Sequence, residues 1–256
     1  MKQNVHVRFA ALLIGLHLFI GGCAKVKEKN ELTLEELKTK ATAHLKNQEY
    51  EEAADHLQLI ISKFPENPKL ANYKISLANC KFNNRDYESA YQLYENFHQY
   101  YPSDKRAEYA KYRAAVCKFR QSLDFDRDQT STEAALRACR TYQDIPTYQK
   151  YRAEIGNIHE SCMKKLIEKE LYICKFYIKH GKFQAAEKRL QQVRKLYGSH
   201  KDLDPNLLYL ECKLASKSDN PSTLKKKLDT LVSHYPASPY TSMAENLIKK
   251  PIDFVF

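Results

Sequence analysis

The sequence predicts an all-α fold, a solenoid of about five helix hairpins stacked in a row. Three observations predict it. One apolar frame recurs in four places: Tyr50, Ala53, Leu57, Ile60, Phe64, Pro65; Tyr87, Ala90, Tyr94, Phe97, Tyr101, Pro102; Phe183, Ala186, Leu190, Val193, Tyr197, Gly198; and, more worn, Pro221, Leu224, Leu228, Leu231, Tyr235, Pro236. Steps of three and four residues put each set on one stripe of a helix. A small residue also precedes each frame at the same offset, at Ala41, Ala78, Cys174 and Cys212. A small side chain there lets a preceding helix approach closely. Finally, glycine is scarce, with 6 in 256 residues, while Lys, Glu, Ala and Leu are abundant. That composition suits helices and leaves little for β-turns or phosphate-cradling loops.

A repeated hairpin of roughly 34–38 residues is the tetratricopeptide pattern. Its second helix stops at Pro, which lacks a backbone donor, or at Gly, which tolerates a left-handed turn. Taken in order, residues 1–22 read as a signal peptide: Lys2 and Arg8 precede an apolar run from Phe9 to Ile20. That run is shorter than the roughly 20 residues a membrane span needs. Ile20-Gly21-Gly22-Cys23 resembles a bacterial lipobox, in which small residues admit a protease and the Cys23 thiol takes the lipid. Residues 23–32 are then a lipidated, charged tether. Acyl chains hold at about 0.8 kcal/mol per buried CH₂, so several anchor without a spanning helix.

Residues 33–250 are the expected solenoid, with N-terminal repeats at about 33–121 and C-terminal repeats at about 131–250. Thr33 with Glu36 reads as a capping box. Leu34, Leu37, Ala41 and Leu45 form the inner face of the first helix, and the second runs from Tyr50 to Phe64. Repeat two spans Leu70 to Tyr101, and a further helix runs from Asp104 to Gln121. The register then breaks at an acidic, non-helical insert, Leu123 to Gln129. Ala135, Cys139 and Tyr142 mark the degenerate second helix of the third repeat. Gln149 to His180 reads as one long helix, bent near Gly156 and ended by Gly181. Repeat four closes at Gly198, repeat five runs from Pro205 to Tyr235, and Tyr240 to Lys249 caps the stack. Residues 251–256 are an apolar tail. Its Phe254-Val255-Phe256 either packs over the last helix or mimics the end of a barrel strand.

A net charge of +11 has two readings, a solvated surface or a basic face for anionic lipid or an acidic partner. No nucleic-acid motif accompanies it. The cysteines after Cys23 are Cys80, Cys117, Cys139, Cys162, Cys174 and Cys212. No C-x-x-C occurs among them, so zinc spacing is absent. Small buried hydrophobes are the expected role of Cys174 and Cys212. Disulfides stay open, since the count is even and a periplasm oxidises. His159-Glu160 opens like a metalloprotease helix, but Met163 stands where the second ligand belongs. No catalytic, metal or cofactor motif stands out, so a non-enzymatic binding protein is expected. Tyr73, on an inner helix, is a candidate for lining a concave groove of the kind that takes extended or helical peptides.

The lipobox, the tether, the hairpins and Asp124-Phe125-Asp126-Arg127-Asp128-Gln129 occur together, with a Tyr-x-x-His-Gly-Lys-Phe entry into repeat four at Tyr177 to Phe183. In these features the chain resembles the BamD family, the tetratricopeptide lipoproteins of the outer-membrane β-barrel assembly machinery. The resemblance covers the mature chain. It departs in the eroded third repeat and in the six further cysteines. It implies a protein held in the bilayer through acylated Cys23, at the periplasmic face of the outer membrane, since Ala24 rather than a retaining Asp follows the lipid site. It implies N-terminal repeats that recognise unfolded outer-membrane protein precursors and C-terminal repeats that dock a POTRA-containing barrel subunit. Asp126, Arg127 and Asp128 of the insert join Tyr73 as contact candidates. The rival expectation is another periplasmic repeat adaptor, linked to peptidoglycan, Tol or secretion.

Overall fold

The computed structural model describes residues 31–198 and 203–249. Among them are eleven helices: α1 Leu34–Lys46, α2 Tyr50–Lys63, α3 Leu70–Asn83, α4 Tyr87–Tyr100, α5 Ala107–Arg120, α6 Thr130–Gln143, α7 Arg152–Lys179, α8 Phe183–Tyr197, α9 Asp204–Lys217, α10 Pro221–His234 and α11 Pro239–Lys249. Each helix packs on the next, and α11 folds back onto α9 and α10. Five antiparallel hairpins therefore follow one another, with α11 closing the last. The expected signal peptide, Cys23, the expected tether up to residue 30 and the tail lie outside the described residues.

Local sequence sets the helix starts. Thr33 Oγ1 accepts from the Glu36 amide at 3.3 Å, and Glu36 Oε2 accepts from the Thr33 amide at 2.8 Å, completing the capping box. Asp86 and Asn220 accept from the amides of Ser89 and Thr223 and cap α4 and α10.

The turn inside four of the five hairpins is one repeated device. Gln48, Arg85, Gly181 and Asp219 all have positive φ, between 52° and 70°. The next amide in each turn reaches back into the preceding helix at 2.9 Å: Glu49 to His44, Asp86 to Lys81, Lys182 to Tyr177, Asn220 to Ala215. This six-to-one bond satisfies a carbonyl that the helix end would leave bare. Only one of the four turns uses glycine, so backbone bonding holds the others against the steric cost of the left-handed region. No neighbour obstructs a Cβ at Gly181, leaving backbone conformation as the only resistance there. Gly181→Ala should therefore cost about 1 kcal/mol, and Arg85→Gly should cost nothing or stabilise. Thermal melts of the two variants read the opposite signs.

The turns between hairpins repeat as well. Phe64, Tyr101 and Tyr235 share φ near −130° and ψ near 50°. Each of their carbonyls accepts from the amide three residues on, at Asn67, Asp104 and Ser238. Those side chains in turn accept from the amides of Lys69, Arg106 and Tyr240. Gly198 does not behave as expected. Its φ is −62°, right-handed, and a Cβ there would collide with the Arg194 carbonyl oxygen. Close approach, not handedness, calls for the glycine.

The core is a chain of clusters running along the stack. Ala41, Ala78, Cys174 and Cys212 are all buried, as the small-residue pattern requires. Ala78→Leu should overpack the α3–α4 joint and cost about 1–3 kcal/mol in a melt. All six described cysteines are free and buried. Burial pushes the Cys80, Cys162 and Cys212 thiols up to about 11 and those of Cys117, Cys139 and Cys174 to about 12. They are packing groups, not thiolates. Leu45 departs from its expected place: it is exposed on α1, the first of the described helices, which has a described neighbour on one side only. The register break has a plain cause. Residues 121–129 join α5 to α6, where the other hairpins turn in three residues.

Candidate functional site

The first helices of successive hairpins, α3, α5 and α7, meet through a seam of rings and polar groups. Asn79 Oδ1 accepts two phenol hydrogens, from Tyr94 at 2.7 Å and Tyr109 at 3.0 Å. Arg106 grips Asp104 with Nε and Nη2 at 2.8 and 2.7 Å and reaches Asn72 Oδ1 at 2.8 Å with Nη1. The Arg106 hydrogen bonds hold the Asp104 carboxyl down at about 2. Stability from that pair is present above the usual carboxylate range and is lost as pH falls towards 2. The Arg113 guanidinium carbon stacks 3.5 Å from the centre of the Phe82 ring. Tyr112 and Tyr151 stack at 4.5 Å with planes 6° apart. Glu108 Oε1 fixes the entry to α7, accepting from the Tyr142 hydroxyl and the Lys150 amide, both at 2.6 Å. Burial pushes the Tyr94 and Tyr112 phenols up, so both stay neutral.

The insert is built around Gln129, which is 2% exposed. Its Nε2 donates to the carbonyls of Asp124 and Arg127 at 2.6 and 3.1 Å, and its Oε1 accepts from the Thr132 hydroxyl at 2.7 Å. Asp128 accepts from the Thr130 amide and hydroxyl at the first residue of α6. Asp126 and Arg127 lie exposed at the tip. Phe125 leans on Tyr172 of α7 at 5.8 Å, beside exposed Phe176. Tyr73 is far from this group. It is half-buried where the first two hairpins join, packed against the clusters of Leu37 with Ile60 and of Ala41 with Leu57. The structure thus brings Asp126, Arg127 and Asp128 together and leaves Tyr73 apart.

A separate cleft of about 600 Å³ opens between α8, α9 and α10, lined by Phe183, Leu190 and Leu214. Glu211 bridges it, pairing with Arg194 at 3.1 Å and Lys227 at 2.6 Å. Among the described residues no group of three His, Cys, Asp or Glu side chains could hold a metal, and no helix is long and apolar enough to cross a membrane. Sequence reasoning missed Asn79, Arg113 and Gln129. Asn79 and Arg113 act through partners brought near by folding, so spacing alone carried no signal, whereas Gln129 bonds to near neighbours within its own loop.

Stacked hairpins with recurring small positions define a tetratricopeptide-type helical repeat scaffold. The family model YfiO, described as an outer membrane lipoprotein, matches residues 30–216, and the chain belongs to that family. It is similar to proteins named outer membrane protein assembly factor BamD in several bacteria. The Caulobacter vibrioides protein is 27% identical over 192 residues, which cover 73% of this chain and 62% of that one. The Neisseria gonorrhoeae protein is 22% identical, over 91% of this chain and 93% of its own. The Rickettsia prowazekii protein is 25% identical, over 94% and 95% respectively.

Proposed function

We propose that this chain is a non-enzymatic assembly factor of the outer membrane. It is a periplasmic scaffold, anchored through lipid on Cys23, that binds a POTRA-containing barrel subunit and unfolded β-barrel precursors. The observation that carries the reading is the family match over residues 30–216, joined by relatives of nearly equal length that share the assembly-factor name. On this reading the N-terminal repeats, with Tyr73 and the ring-lined seam, receive precursors. The C-terminal repeats dock the barrel subunit. Asp126 and Arg127 contact a partner from the insert, and Asp128 holds the insert in place.

The test is a pull-down of the full chain from its native envelope in mild detergent. A POTRA-bearing barrel protein should co-purify. Recovery of peptidoglycan-binding or Tol proteins in its place would contradict the reading. The anchor has its own readout. Cys23→Ala should leave the protein unanchored or unprocessed, and an unmodified mature Cys23 in the wild type would contradict lipidation.

A further inference from the structure

Among the described residues, Arg113 is a cation without a counter-charge. Its guanidinium lies against Phe82, with the Tyr109 and Tyr94 rings 5.6 and 5.8 Å away. Its Nε is buried with no hydrogen-bond partner, and among the described residues no carboxylate pairs with it. Its neighbours differ: Lys111 pairs with Glu95 at 2.9 Å, Lys118 with Glu88 at 2.6 Å and Arg106 with Asp104 at 2.7 Å.

The arrangement recurs one hairpin along. Lys165 Nζ of α7 sits 5.6 Å over Phe119 and donates to the neutral Ser122 hydroxyl at 2.9 Å, again with no carboxylate among the described residues. Phe82 and Phe119 are each the next-to-last residue of their helices, α3 and α5. The repeat therefore places a ring at the same point in both helices, and the following first helix lays a cation on it. A cation seated on a ring is already oriented and partly desolvated, so a carboxylate gains more by pairing with it than with a freely hydrated lysine.

We propose that Arg113 and Lys165 are two carboxylate seats for an acidic peptide lying extended across α5. This deepens the proposed function and rests on its reading that the first-helix face receives unfolded chains. The spacing narrows the ligand. Phe82 and Phe119 are equivalent rings on α3 and α5, one hairpin apart, and packed helices stand about 8–10 Å apart. In a polyproline II segment, residues three apart share a face and also lie about 9 Å apart. The preferred ligand has acidic side chains three residues apart. The net charge of +11 draws such a segment in from a distance.

The probe is a fluorescein-labelled peptide, Pro-Pro-Glu-Pro-Pro-Glu-Pro-Pro-Tyr, titrated against the full chain by anisotropy. Arg113→Gln should weaken binding roughly tenfold, the loss of one charge-assisted pair, and Lys165→Met several-fold. Arg113→Lys keeps the charge without the flat stack and should fall between, which separates the seat from a folding defect. The same peptide with Gln for Glu should bind weakly to the wild type and be insensitive to Arg113→Gln. Unchanged affinity in Arg113→Gln, or equal binding of the Gln peptide, would overturn the proposal. So would displacement of the peptide by phosphatidylglycerol vesicles, which would make the face a lipid surface. Recovery of the barrel subunit by Arg113→Gln shows whether the scaffold reading stands independently of the seats.

Discussion

Tyr94→Ala should be among the most damaging single changes in the chain, costing about 3–5 kcal/mol. Tyr94 is fully buried in the frame of α4, donates to Asn79 and lies edge-on to Tyr109 at 6.1 Å. Alanine opens a cavity in the cluster that joins the second hairpin to the third. Tyr94→Phe separates the two contributions. It keeps the ring, and Asn79 Oδ1 still accepts from Tyr109, so only about 1 kcal/mol should go. At roughly 2–4 °C per kcal/mol for a chain of this size, the alanine variant should melt about 10 °C lower and the phenylalanine variant a few degrees lower. Equal losses would mean that the hydroxyl, not the ring, holds the joint.

Gln129→Ala should loosen the insert by about 2–3 kcal/mol. One side chain closes this loop by donating to two carbonyls and accepting from one hydroxyl, at a site that water barely reaches. Alanine removes the partner of the Arg127 carbonyl and of the Thr132 hydroxyl, while the Asp124 carbonyl keeps the Arg127 amide at 3.1 Å. The effect should be local. Hydrogen exchange should quicken from about residue 123 to the start of α6, while α1 to α4 stay protected. Faster exchange across the whole chain would contradict a self-contained insert.

What the sequence reveals and what it hides divide along physical lines. The recurring frame is legible because a helix buried on one side must place apolar groups every three or four residues, as Tyr87 to Tyr101 and Phe183 to Tyr197 do. Ala78 and Cys174 are legible because two helices cannot approach over a large side chain. The second helix of the third repeat is faint but real, since Ala135, Cys139 and Tyr142 are buried on α6. The hairpin turns are not legible. Gln48, Arg85 and Asp219 take positive φ without being glycine, and the bond that holds each turn is backbone to backbone. The candidate face is also hidden. Nothing in the local order of Arg113 announces that Phe82, 31 positions earlier, will lie beneath it. Tyr73 is ambiguous from sequence alone, since an aromatic on an inner helix reads equally well as groove or as joint; it is half-buried and packs where the first two hairpins meet.

The central claim is that this scaffold serves the assembly of outer-membrane barrels. Depleting the chain in its native cell, then assaying folded, heat-modifiable barrel proteins in the outer membrane, tests it most directly. The account predicts that several unrelated barrels fall together while unfolded precursors accumulate in the periplasm, and that wild-type protein restores them. Barrel levels that hold steady through depletion, alongside a defect in division, peptidoglycan or secretion, would contradict it.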